Sequence, residues 1–231
     1  MYCYRDTVSS IVLISGGLDS AVLLAAQAQH GVVHPLYVSV GLAWEHAELQ
    51  VLRALLTTTP AFARLRPLTT VQFDMRDVYA EGHWAIRGIP PAYDTPDSDV
   101  YLAGRNIVLL AKASMVAAAR RVETVALGVL AGNPFPDARP EFFSAMGRAL
   151  SLGLDHAVQV VTPLARLHKP AVIALGLELG VPVALTLSCM SPVAGLLPQH
   201  CGRCSKCRER RDAFVAAGVT DPTTYAQESP R

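Results

Sequence analysis

Charge is scarce in this sequence and neither sign prevails: Lys and Arg number 20, Asp and Glu 19, and the formal net charge is +1 over 231 residues. A dedicated nucleic-acid or membrane-surface binder needs a basic footprint, so that class is excluded unless a local patch serves. Long apolar runs are absent as well. Stretches such as Ile11 to Ile14 and Val22 to Ala26 fall far short of the roughly 20 residues that span a bilayer. Met1 to Thr7 lacks a basic segment leading into an apolar run and a small-residue cleavage site. No secretion signal is expected, and the expected compartment is the cytoplasm. What remains is 51% hydrophobic and 17% charged, the balance of an ordered globular chain and not of a disordered one.

The apolar runs that do occur are short and alternate with helical stretches. Strands are expected at Ser9 to Ile14, His34 to Val40, Leu68 to Phe73, Val122 to Val129 and Val158 to Val161. Helices are expected at Asp19 to Gln29, Glu45 to Leu56, Asn106 to Arg120, Pro140 to Leu152 and Lys169 to Leu179. Asp74 to Leu102, rich in Pro, Asp and Gly, is expected to wander over the surface. Such alternation predicts an α/β fold with a parallel sheet of about five strands and helices on both faces. Ligands of these sheets bind beyond the carboxyl ends of the strands. The expected division is an α/β body over 1–182 and a small cysteine-bearing lobe with a C-terminal helix over 183–231, its polar tail loose from Thr220.

The first strand runs into Ser15-Gly16-Gly17-Leu18-Asp19-Ser20 at the head of the first helix. Two glycines permit a tight turn that brings main-chain N–H groups to an anion, and the helix N-terminus adds partial positive charge. Ser15 and Ser20 can donate to phosphate oxygens. Asp19 would be repelled by phosphates unless Mg²⁺ lies between them or it caps the helix. A plain tight turn with Asp19 as cap suits the same residues. There is no Gly-Lys-Ser/Thr, which argues against ordinary γ-phosphoryl transfer, and no Gly-x-Gly-x-x-Gly. The Ser-Gly-Gly-x-Asp-Ser order resembles the PP-loop of N-type ATP pyrophosphatases. That resemblance implies an ATP site over Ile14, Ser15, Gly16, Gly17, Leu18, Asp19 and Ser20, and cleavage between the α- and β-phosphates.

Cysteine is rare until the chain's end, where Cys189, Cys201, Cys204 and Cys207 form a C-x11-C-x2-C-x2-C array. Four thiolates at such spacings can close a tetrahedral Zn²⁺ site with no position left for water, hence a structural one. Reduced thiols without metal, or an iron–sulfur cluster, use the same ligands. Arg203, Lys206, Arg208, Arg210 and Arg211 could offset the thiolate charge or contact phosphate. Cys3 carries no assignment.

Four further segments extend the resemblance to the 7-cyano-7-deazaguanine synthase family. They are Ala103-Gly104-Arg105-Asn106, Pro136-Asp137-Ala138-Arg139-Pro140-Glu141-Phe142, Leu175-Gly176-Leu177-Glu178-Leu179-Gly180-Val181-Pro182, and Leu187-Ser188-Cys189 leading into the array. The resemblance implies a Rossmann-like fold of the adenine nucleotide α-hydrolase (HUP) type and a homodimer. It also implies ATP- and Mg²⁺-dependent conversion of 7-carboxy-7-deazaguanine and ammonia to the 7-nitrile, on the route to queuosine. Asp19, Ser20, Arg105 and Lys169 become the catalytic candidates. Arg105, Asn106, Asp137, Arg139 and Glu141 become the substrate-binding candidates, because guanidinium groups grip carboxylates or phosphates and carboxylates accept from a guanine-like edge. A helix cap or local ion pair is the competing role for the charged ones. Partners beyond the small molecules, whether nucleic acid or membrane, are not expected.

Two loops depart from the family. The run Val40 to Leu49 carries one extra residue, so that Glu45 stands at the family's histidine and His46 does not inherit its role. The segment Leu130 to Phe135 is shortened, with Phe135 for Tyr and Ala138 for Cys. Trp44, Trp84 and Phe135 could stack on a planar base. A tRNA-modifying PP-loop enzyme and a non-catalytic nucleotide-binding zinc protein are the competing readings.

Overall fold

In a computed structural model the structure describes residues 9–58, 62 and 65–228. Met1 to Thr7 and Cys3 lie outside these. The strands are β1 (Ser9–Leu13), β2 (Val32–Ser39), β3 (Thr69–Gln72), β4 (Thr124–Ala126) and β5 (Gln159–Val161). The helices are α1 (Leu18–His30), α2 (Glu45–Thr57), α3 (Trp84–Arg87), α4 (Arg105–Ala119), α5 (Pro140–Leu154), α6 (Lys169–Glu178) and α7 (Ser205–Ala216). The five strands form one sheet in the order β3-β2-β1-β4-β5, and every pairing is parallel. The chain therefore builds outward from β1 to one edge and returns to build the other half, leaving a switch point between β1 and β4.

Period-2 alternation in the strands splits the core into two layers. Ile11 and Leu13 of β1, Leu36 and Val38 of β2 and Val125 of β4 pack with Leu109, Leu110 and Ala113 of α4 and Phe143 of α5. Val12 and Ile14, Tyr37 and Ala126 point the other way, onto Leu18, Val22 and Ala25 of α1, Val172 and Ile173 of α6 and Phe214 of α7. Each fully buried Leu or Ile contributes roughly 1.5–3 kcal/mol relative to leaving it in water. Gly176 shows how close α1 and α6 lie: a Cβ there would stand 2.7 Å from the Val22 side chain.

Two expectations about loops are corrected. The 74–102 stretch does not simply wander over the surface, since Met75, Tyr79, Ala85, Val100 and Leu102 are buried in the core. Nor is the stretch 220–228 loose. Arg210, 1% exposed, donates to Thr223 Oγ1 at 2.6 Å, Tyr225 donates to Asp221 Oδ2 at 2.6 Å, and Arg211 lies over the Tyr225 ring at 3.8 Å. A buried guanidinium needs every donor satisfied, and the tail supplies part of that shell. No helix among the described residues is long and apolar enough to cross a membrane.

Candidate active site

At the carboxyl end of β1, Gly16 adopts φ +78°, a left-handed conformation suited to glycine. A Cβ at Gly16 would stand 3.1 Å from the Glu48 carbonyl, so the turn is seated tightly on α2. Ser20 Oγ donates to the Gly17 carbonyl at 2.9 Å, and Ser15 N–H donates to Ser20 Oγ at 3.2 Å. The serines hold the turn in shape, while no side chain caps the N-terminus of α1. An uncapped helix start with its first N–H groups available suits an anion. The backbone of Gly128, just past β4, lies against Asp19 and Ser20, which places the turn at the switch point.

Asp19 is not a helix cap. Its Oδ2 accepts from Lys169 Nζ at 2.7 Å, and Lys169 also pairs with Glu209 of α7 at 3.2 Å. Burial alone would lower the Lys169 pKa, but the two carboxylates raise it above its usual value. Asp19 Oδ1 is buried without a hydrogen-bond partner. An orphaned buried carboxylate oxygen beside an uncapped helix start fits a divalent cation between it and a phosphate.

Two cavities open on this turn, of about 250 Å³ and about 610 Å³. Both are lined by Ser15, Gly17, Asp19, Arg105, Gly128 and Phe135. The left-handed Gly104 brings Arg105 into them at the head of α4, and the Arg105 Nε is buried with no partner. Asn106 and Asp137 line the smaller cavity. They hold each other: the Asn106 amide donates to the Asp137 carbonyl at 3.0 Å, and its N–H approaches Asp137 Oδ2 at 3.4 Å. Burial raises the Asp137 pKa against the Asn106 backbone bond. Arg139 and Glu141 are exposed and line neither cavity.

Opposite the turn, Trp44 and Trp84 line the larger cavity and stack at 5.7 Å, 9° from parallel, and Phe135 stacks on Tyr101 at 5.0 Å. Glu45 is a loop clamp, its carboxylate accepting from Ser39 Oγ and the N–H groups of Val40 and Gly41 at 2.6, 2.7 and 3.2 Å. His46 is exposed. Sequence reasoning missed Glu48, one turn further along α2, which is buried, accepts from Tyr37 Oη at 2.8 Å and lines the larger cavity. Its signal was an acidic pair, Glu45 and Glu48, at the first turn of a helix that follows a strand's carboxyl end. His168 and Glu209, also lining that cavity, carried no local signal.

The Sγ atoms of Cys189, Cys201, Cys204 and Cys207 all lie within 4.8 Å of one another, with contacts of 3.9, 3.9 and 3.5 Å. Zinc–sulfur bonds of about 2.3 Å put tetrahedral sulfurs roughly 3.8 Å apart, so the thiols already have the spacing such an ion requires. Main-chain N–H groups of Ser191, Cys201 and Arg203 donate to the sulfurs, which suits thiolates. The neighbouring cations brace the backbone. Arg208 donates to the carbonyls of Tyr93 and Thr95, Arg211 to that of Gly202, and Arg210 to Val183 O, Thr186 Oγ1 and Ser188 Oγ. Leu187 N–H then donates to the Gly16 carbonyl at 2.9 Å, so the cysteine region and the glycine turn share a hydrogen bond.

The family model of the queuosine biosynthesis protein QueC matches residues 9–218. The chain belongs to the QueC family. A 7-cyano-7-deazaguanine synthase from Anaeromyxobacter dehalogenans is 34% identical, covering 94% of this chain and 96% of the relative. Another, from Thiobacillus denitrificans, is 35% identical over 94% and 98%. Among solved structures, a predicted subunit of tRNA methyltransferase from Methanocaldococcus jannaschii is similar at TM-score 0.49 and 15% identity, covering 96% of this chain and 93% of that one. That likeness is too slight to bear on function. The QueC family match runs from β1 through α7, and so includes both the turn and the four cysteines.

Proposed function

We propose that this chain is an ATP-dependent carbon–nitrogen ligase that converts 7-carboxy-7-deazaguanine to 7-cyano-7-deazaguanine with ammonia; its relatives are named 7-cyano-7-deazaguanine synthase. The observation that carries this reading is the pair of unpartnered buried atoms, Asp19 Oδ1 and Arg105 Nε, on residues that line both cavities. One suits a cation on a nucleotide, the other a carboxylate. A carboxylate and ATP meeting there can react at the α-phosphorus.

A carboxylate oxygen attacks that phosphorus, pyrophosphate leaves, and the acid becomes an acyl adenylate. The Ser15 to Ser20 turn and the start of α1 receive the departing phosphates, and Lys169 lies within reach once its hold on Asp19 relaxes. Asp19 would hold Mg²⁺, which when bound neutralises phosphate charge. Arg105 grips the acid bidentately and fixes its approach. Asn106 and Asp137 present donors and an acceptor to a purine-like edge, and the Trp44–Trp84 pair offers a flat wall. Arg139 and Glu141 lie outside the two cavities in this chain, so any substrate contact from them comes across an interface or after a loop movement. Zn²⁺ on the four cysteines is structural. The reading requires reduced thiols and ATP, hence the cytoplasm, and a homodimer is the proposed assembly.

The test is product analysis after incubation with ATP, ammonia and 7-carboxy-7-deazaguanine. AMP, pyrophosphate and the nitrile mass are expected. ADP with orthophosphate as the only nucleotide products would overturn the adenylation reading, and adenylation without nitrile would point to a related carboxylate.

A further inference from the structure

Among the described residues, five carboxylates line the two cavities: Asp19, Glu48, Asp137, Glu209 and Asp212. Asp19 is bound to Lys169, and Glu209 to Lys169 and Lys206. Asp137 is tied to Asn106, and Asp212 is exposed. Glu48 differs from all four. It is buried, on a regular helix, with Tyr37 Oη donating to it, and it lines the same larger cavity as Arg105, whose charge favours its ionised form. Arg105 is the group that would grip the acid, so the reacting carbon is brought toward Glu48.

Resting on the ligase reading above, we infer that Glu48 is the proton acceptor for the nitrogen that enters from ammonia. The chemistry requires one. Ammonia forms a C–N bond at the acyl carbon, and the resulting ammonium nitrogen must lose a proton before the C–O bond to AMP breaks with its electron pair on the phosphate. Activation of the amide oxygen by a second ATP then sets up loss of the two remaining N–H protons as AMP leaves and the nitrile forms. All three protons leave one nitrogen, and a carboxylate that exchanges with solvent between steps can take each.

The groups facing Glu48 place it well for this. Burial pushes its carboxyl up to about 7; Arg105 of α4, the hydroxyl of Tyr37 on β2 and a side-chain hydrogen bond from Trp44 pull it down, and Glu45 of the same helix pushes it up. An acceptor near operating pH is the most effective proton acceptor. Tyr37 is held far above its usual pKa, chiefly by burial and by Glu48, so it remains a donor that fixes the carboxylate.

Glu48→Gln keeps the shape and the bond from Tyr37 but accepts no proton. Two readouts separate its role. Pyrophosphate exchange into ATP, dependent on 7-carboxy-7-deazaguanine, reports adenylation; single-turnover amide and nitrile formation at constant free ammonia reports the nitrogen steps. The variant is expected to keep exchange within about threefold and to lose about 10²- to 10⁴-fold in the nitrogen steps, with Glu48→Asp recovering part of the loss. In the wild type the deprotonated form acts, so the nitrogen-step rate climbs with pH through a midpoint near 7, and in Glu48→Gln that climb disappears. Unchanged nitrogen steps in Glu48→Gln, or equal loss of both readouts, would overturn the role of Glu48 alone. Absence of exchange in the wild type would overturn the ligase reading and this inference with it.

Discussion

The two sides of the cavity are built in different ways. On the nucleotide side, the Ser15 to Ser20 turn is shaped by its own serines, clamped by Leu187 and backed by Gly128. In the proposed reading recognition there is by main chain, and few side chains can change without deforming it. On the acceptor side, Trp44, Glu48, Trp84, Arg105 and Phe135 arrive from separate loops and helix starts. Apart from Glu48, which Tyr37 of β2 holds, none of these side chains is hydrogen-bonded to a strand among the described residues. The loops at 40–49 and 130–138, where the sequence resemblance is weakest, supply Trp44, Glu48 and Phe135 to that second side.

The largest test of this contrast removes the shared support. Because Leu187 joins the cysteine region to the Gly16 carbonyl, stripping metal with a chelator, or Cys204→Ser, should abolish ATP binding as well as unfold the 183–228 region. Structural zinc in finger peptides contributes apparent free energies of about 10–16 kcal/mol, so the effect should dominate any other. Circular dichroism and calorimetric ATP titration measure it, and tight ATP binding by metal-free protein would break the link. Next in size, Asp19→Asn should lower pyrophosphate exchange by about 10²- to 10³-fold with the thermal melt retained. Undiminished exchange would remove Asp19 from the cation site. The smallest effect is expected on the acceptor side. Phe135→Tyr adds one hydroxyl at the cavity wall, so it should lower KM for the deazapurine acid by at most about tenfold, the worth of one neutral hydrogen bond. KM for ATP should stay put; a change there instead would mean the two sides are not separable.

Much of this was legible in residue order. Strand starts and ends came within a few residues where β-branched runs were bounded by glycine, as at Ile11 to Gly16, because alternation and turn chemistry are local. The Val122 to Val129 run is strand over only part of its length, Thr124–Ala126. Beyond it Leu127 N–H still donates to the Val161 carbonyl of β5 at 3.0 Å, while Val129 is buried with the core. Arg139 and Glu141 match a motif yet are exposed and line neither cavity, since a motif at the start of a helix does not say which face is inward.

Composition and short-range spacing determined the α/β class, the anion-ready turn and the four-thiol set, because each depends on neighbours within about one supersecondary unit. Only the tertiary structure decided that Lys169 rests on Asp19 and Glu209, that the Arg105 Nε is buried without a hydrogen-bond partner, and that Glu48 is buried at the cavity wall. Those facts depend on which elements the sheet order brings together, with partners up to 150 positions apart in sequence. They depend equally on burial, which sets the cost and direction of every charge.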